Sequence, residues 1–226
     1  MVHPKKVILW DVDGTLIKID DNRLNKHQLA ANIPVEPTDE SSKNYTGMTD
    51  KQILKRIIGP DFDILSATEK FEIFHRLNKL TEEELVYHPV TVNSCVEETL
   101  QKSNQLGWQN AILTGNTLDR ARSKLESAKL LSYFPIELIF NGETLVNRND
   151  LVKFSNIKLL EMGFHKIILV GDTPNDIFSA QSANLPIISV STGKFTKKQL
   201  EIHKPDLHID NFLEGSDAFF EFLSSI

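Results

Sequence analysis

The chain has 226 residues, 40% hydrophobic and 25% charged, with a formal net charge of −6, which suits one core-bearing domain with a sizeable insertion or two small domains. With an acidic balance and no Lys/Arg block, neither a nucleic acid nor an anionic membrane is the expected partner, and no apolar run approaches a membrane span. Cys95 is the one cysteine, so no internal disulfide is available and Cys95 reads as a packing residue. A reducing, cytoplasmic setting is expected, since Met1-Val2-His3-Pro4-Lys5-Lys6 lacks the layout of a signal peptide.

The first element is the apolar run Val7-Ile8-Leu9-Trp10, which reads as a buried strand and ends in Asp11-Val12-Asp13-Gly14-Thr15-Leu16. Alternating side chains on an extended segment aim Asp11 and Asp13 the same way. Two carboxylates aimed at one point call for a cation or a shared proton between them, although an acidic Gly turn after a strand can also be only a turn. From Leu16 onward the strand signal fades for some eighty residues, and helix-period segments follow. A weak helix is expected over Asp21–Ile33, ended by Pro34 and Pro37, with a polar loop over Glu36–Asn44. Thr49 can cap a helix with Ile53, Leu54, Ile57 and Ile58 on one face, stopped by Gly59-Pro60. Ser66-Ala67-Thr68-Glu69 has the form of a capping box, with Phe71, Phe74 and Leu77 following at helical spacing. These helices can bury their stripes against one another as a small cap.

A helix over Asn93–Leu106 leads into the strand Asn110-Ala111-Ile112-Leu113-Thr114, and the pattern then alternates. A helix follows Thr117, a strand lies near Glu137–Phe140, and a helix follows Asp150. A strand covers Lys166–Val170, a helix follows Thr173, another strand covers Pro186–Val190, and Phe219, Phe220 and Leu223 mark a last helix. Strands alternating with helices predict an α/β fold, a Rossmann-like parallel sheet with helices on both faces. Ligands of such sheets sit beyond the carboxyl ends of the strands. Asp11 and Asp13, then Thr114-Gly115-Asn116, then Gly171-Asp172-Thr173-Pro174-Asn175-Asp176 all fall at strand ends. Thr114, Gly115 and Asn116 offer a hydroxyl, a bare N–H and an amide to an anion at a helix start; an ordinary capped turn is the alternative. Asp172 and Asp176 bring more carboxylates, though Asp176 alone could serve as a helix cap. Such acids in one cleft ask for a hard cation, and Mg²⁺ is the economical choice.

Val-Ile-Leu-Trp-Asp11-Val-Asp13-Gly-Thr-Leu, Ile-Leu-Thr114-Gly115-Asn116 and Ile-Leu-Val-Gly171-Asp172-Thr-Pro-Asn-Asp176, in that order, resemble the motifs of the haloacid dehalogenase-like (HAD) hydrolases. The helical insertion is similar to that superfamily's cap, and Tyr45-Thr46-Gly47-Met48-Thr49-Asp50 resembles a segment of the phosphoglycolate phosphatase-like branch. The resemblance implies a core over residues 1–17 and 93–226 with a cap over 18–92, and Mg²⁺-dependent hydrolysis of a small phosphorylated metabolite. Asp11 would be the nucleophile and Asp13 the general acid and base. Asp11, Asp172 and the Asp13 carbonyl would hold Mg²⁺, Thr114, Gly115 and Asn116 would bind phosphate, and Asp176 would support the metal shell or the catalytic cation. The superfamily's catalytic Lys or Arg falls in Val146-Asn147-Arg148-Asn149-Asp150-Leu151-Val152-Lys153, without the usual Lys-Pro pair. Arg148 is preferred as the catalytic cation, and Lys153, one turn inside, remains open for that role or as a phosphate-binding residue. Trp10, where Phe is commoner, bears on packing. Hinges are expected near Leu16–Asp20 and Tyr87–Val92, with Arg23 and Thr46-Gly47 as selectivity residues. A dehalogenase has no need of Asp13; a sugar phosphomutase, or a binding module on the same fold, remains an alternative.

Overall fold

The computed structural model describes residues 5–18, 23–34, 45–143, 145 and 147–226. The polar loop expected over 36–44, Pro37, and the hinge residues Ile19 and Asp20 lie outside them. Strand β1 (Lys5–Trp10) is apolar on both faces, as a central parallel strand must be, and it is flanked by β2 (Trp108–Leu113) and β4 (Phe164–Gly171). With β3 (Ile139–Phe140), β5 (Ile187–Val190) and β6 (Leu207–Ile209) they form a 6-stranded sheet in the order β3-β2-β1-β4-β5-β6, every pairing parallel.

Alternation along the strands divides the core in two. Ile8, Trp10, Ile112, Ile168 and Val170 face one way, packed with Leu100 of α5 (Val96–Gln105), Leu125 of α6 (Leu118–Ser127) and Phe219 of α10 (Ser216–Ser225). Val7, Leu9, Ala111, Leu113 and Leu169 face the other, against Leu151 of α7 (Arg148–Glu161), Ile177 of α8 (Pro174–Ser182) and Leu200 of α9 (Lys197–Glu201). Trp10 fits its interior position because Nε1 donates to Asn110 Oδ1 at 2.9 Å and the indole stacks on Phe219 at 5.7 Å. Cys95 packs, partly buried, against the same layer, and its backbone is left-handed, with φ 58°.

Between β1 and β2 lie α1 (Arg23–Ala30), α2 (Asp50–Ile58), α3 (Asp61–Ile64) and α4 (Ala67–Tyr87), whose own core is Ala30, Leu54, Phe62, Ile73 and Leu77. The capping box at Ser66 forms as its sequence predicts. The buried face of α4 keeps Leu77 and, partly, Phe74 of the expected stripe but replaces Phe71, which is 63% exposed, with Ile73 and Thr81. Spacing alone admits either stripe, and the neighbouring helices select the i, i+4 row. Where the chain leaves and re-enters the sheet layer, Lys18 N–H donates to Thr91 O (2.8 Å) and Asn93 N–H to Leu16 O (3.0 Å), tying the two crossings together. Other elements differ from expectation too: β3 is only the Ile139–Phe140 end of the strand expected near Glu137–Phe140, since Ile136–Leu138 form a 3-10 turn. Helix α7 begins at Arg148 because Asn147, rather than Asn149 or Asp150, caps it by accepting from Asp150 N–H at 2.9 Å, and β6 is too short to leave a periodic signal.

Candidate active site

The sheet ladder of β1 ends where Asp11 N–H donates to Val170 O at 3.0 Å; the chain then folds tightly, with Leu16 and Ile17 N–H both on Val12 O. Gly14 has φ +92°, and a Cβ there would overlap the Asp172 carboxylate, so this turn needs glycine on two counts. Thr15 Oγ1 donates to Asp172 Oδ1 at 3.1 Å, binding the ends of β1 and β4 to each other.

Asp11, Asp172 and Asp176 are buried, and one oxygen from each lies within 4.8 Å of the others. Asp172 Oδ2 is buried and has no hydrogen-bond partner among the described residues. A buried carboxylate oxygen with no protein donor, beside two further carboxylates, fits a hard divalent cation, which takes oxygen ligands. Arg148, at the first position of α7, supplies the positive charge already present: its Nη2 donates to Asp11 Oδ1 at 2.9 Å and Leu113 O at 3.3 Å, and pairs with Asp176 Oδ1. The second Asp176 oxygen caps α8, accepting from Thr173 N–H (3.0 Å) and Oγ1 (2.7 Å). Burial, only partly offset by Arg148 and reinforced by Asp176 and Asp13, pushes the Asp11 carboxyl up to about 6. Asp172 is raised well above the usual carboxylate range, first by burial and then by Asp11 and Asp176. Burial works against the Arg148 charge, but Asp11, Asp176 and Asp172 more than restore it, so the guanidinium stays protonated.

Asp13, 8% exposed, faces β2 and α6. Asn116 Nδ2 donates to Asp13 Oδ2 at 2.7 Å and to Thr114 Oγ1 at 2.9 Å, so the Thr114-Gly115-Asn116 turn and the second acid form one hydrogen-bonded group. Lys124 joins them: its Nζ lies 2.7 and 2.8 Å from the two Asp13 oxygens and 3.3 Å from Asn116 Oδ1. Motif spacing does not single out Lys124. Its signal is a charge on the α6 stripe of Ala121, Leu125 and Ala128, where a solvated lysine would not sit. Lys153, by contrast, is exposed on α7; of the two cations considered for this region, Arg148 is the one brought to the aspartates.

The segment 45–50 closes over these strand ends. Asp50 N–H donates to Gly115 O at 2.7 Å, Asn175 Nδ2 donates to Thr46 O at 3.0 Å, and a Cβ on Gly115 would strike the Met48 carbonyl. The Asp50 side chain is fully buried: Oδ2 accepts from Thr117 N–H at 2.8 Å, and Oδ1 meets Arg120 Nη1 and, at 2.9 Å, His27 Nε2. Arg120 Nε also donates to Thr81 Oγ1 at 2.9 Å. Buried His27 therefore has a structural place that its sequence position alone does not reveal. The Arg23 side chain lies outside the described residues. Among the described residues no helix is long and apolar enough to cross a membrane.

The fold, with carboxylates at the ends of β1 and β4 and a helical insertion after β1, belongs to a defined class: the model of the haloacid dehalogenase-like hydrolase family matches residues 8–190. The chain belongs to that family. It is 28% identical to the phosphoglycolate phosphatase of Agrobacterium fabrum, over 96% of this chain and 93% of that protein. It is 23% identical to the pyrophosphatase PpaX of Bacillus mycoides, over 90% and 91%. The crystal structure of a predicted phosphatase from Clostridium acetobutylicum superimposes with a TM-score of 0.74 at 20% identity, covering 96% of this chain and 99% of that one, and so shares the fold.

Proposed function

We propose that the chain is a Mg²⁺-dependent phosphatase that hydrolyses a small phosphomonoester through a phosphoryl group carried on Asp11. The observation that carries this reading is the meeting, at the carboxyl ends of β1, β2 and β4, of buried Asp11, Asp172 and Arg148 with the Asp13–Asn116–Thr114 group. An Asp11 oxygen attacks phosphorus, the bond from phosphorus to the leaving oxygen breaks, and Asp13 gives that oxygen its proton. Water then attacks the phosphorus of the acyl phosphate, its proton passes to Asp13, and phosphate departs as the Asp11 carboxylate is restored. Arg148 fixes Asp11 Oδ1 and supplies positive charge beside the transferring group. Thr114, Gly115 and Asn116 receive the phosphoryl oxygens. Asp11, Asp172 and the Asp13 carbonyl would hold Mg²⁺, with Asp176 in support; when bound, the ion offsets the repulsion between carboxylate and phosphate.

Residues 1–17 and 93–226 act as the catalytic core and 18–92 as a lid hinged near Leu16–Asp20 and Tyr87–Val92, with Arg23, Thr46 and Gly47 as its selectivity residues. The names of the two relatives support a small phosphorylated substrate. The test is phosphate release from a panel of phosphomonoesters and pyrophosphate, with Mg²⁺ and after chelation. Asp11→Asn is expected to abolish turnover, and Asp13→Asn to cost at least about a hundredfold. Wild-type turnover in Asp11→Asn would remove the nucleophile.

A further inference from the structure

We infer that Lys124 is a positioning residue that, with Asn116, holds the Asp13 carboxylate in its working orientation; this rests on the reading of Asp13 as the acid and base. Lys124 is 2% exposed and projects from the face of α6 that carries Ala121 and Leu125 into the core. Taking an ammonium out of water is costly, and an apolar side chain of similar volume would pack there without that penalty. What the charge provides is geometric. Nζ engages both Asp13 oxygens, at 2.7 and 2.8 Å, while Asn116 Nδ2 binds one of them at 2.7 Å, so rotation of the carboxylate breaks at least one charge-assisted bond. The helix that bears Lys124 is itself fixed, since Thr117 N–H rests on Asp50 Oδ2 and Arg120, one turn before Lys124 on the same face, pairs with Asp50. Asp13 sits in the sharp turn after β1, and the direction of its carboxylate, which these bonds fix, sets where its proton is delivered.

The test is a double-mutant cycle between Lys124→Met and Asp13→Asn, with Lys124→Arg as the conservative variant. Each is assayed on an alkyl phosphomonoester, whose leaving oxygen needs a proton, and on p-nitrophenyl phosphate, whose leaving group does not. A misplacement of this kind should cost Lys124→Met about tenfold to a hundredfold in kcat on the alkyl ester. KM should stay within about twofold, and the loss on the nitrophenyl ester should be smaller. Adding Lys124→Met to Asp13→Asn should change kcat less than about twofold, and Lys124→Arg should recover part of the loss. If Lys124→Met destabilises the protein, the double variant, which removes both charges, keeps the cycle readable, with melting followed in parallel. An equal loss from Lys124→Met in both backgrounds, or no loss at all, overturns the proposal and leaves Asp13 in its role. Undiminished alkyl-ester turnover in Asp13→Asn overturns the role of Asp13 itself, and this proposal with it.

Discussion

Replacing Asp50 by alanine tests whether the segment over the site is held by a dry ion pair or by ordinary surface contacts. Asp50, His27, Arg120 and Thr81 are all 0% exposed. The substitution strands the Arg120 guanidinium in the interior with Thr81 Oγ1 on Nε, and strips the side-chain acceptor from Thr117 N–H. Removing one partner of a buried ion pair costs about 3–5 kcal/mol. For a domain of this size each kcal/mol lowers Tm by about 2–4 °C, so a fall of roughly 6–20 °C is expected. Scanning calorimetry, with a urea titration as a check on the slope, measures it. Asp50→Ala/Arg120→Met, which leaves no orphaned charge, should recover more than about 1 kcal/mol of the loss. A cost for Asp50→Ala below about 1 kcal/mol, the value of an exposed pair, would refute the reasoning.

Acidity gives a second expectation. Because the Asp11 carboxyl rises from 3.8 to about 6 in the folded protein without metal, the native state binds the proton more tightly than the unfolded chain. Its contribution to stability is complete below about pH 4 and is lost as pH rises through about 6, by a few kcal/mol. Calorimetry with and without Mg²⁺ should therefore show a larger rise in Tm on adding the ion at pH 7.5 than at pH 5; an equal rise would count against Asp11 as a ligand. Arg148→Met should lower kcat about a hundredfold, while Lys153→Met should leave steady-state kinetics near wild type. Gly14→Ala, which strains a positive φ and drives a Cβ into the Asp172 carboxylate, should destabilise by at least about 1–3 kcal/mol and abolish phosphate release.

The central strands are readable from residues alone because Val7–Trp10, Ala111–Leu113 and Ile167–Val170 are continuous apolar runs, which parallel strands covered on both faces require. The motif acids are readable because each follows such a run. Strand β6 is not, since Leu207-His208-Ile209 is too short to carry a period. Neither is the inward face of α4, where Phe71 and Ile73 compete and only the neighbouring helices decide. Lys124, Arg120 and His27 resist for a different reason: a buried cation looks in sequence like a surface one until its partner, far along the chain, is brought beside it. Asp13 and Lys124 are 111 residues apart, and no local spacing encodes that meeting.

The claim that Asp11 carries the phosphoryl group is met most directly by acid-quenching the enzyme during turnover and measuring the mass of the intact protein and of its peptides. The peptide containing Asp11 should gain one phosphoryl group, lose it when hydroxylamine cleaves the acyl phosphate, and remain unlabelled in Asp11→Asn. A label on any other residue, or undiminished turnover with no label on Asp11 under conditions that preserve acyl phosphates, would contradict it.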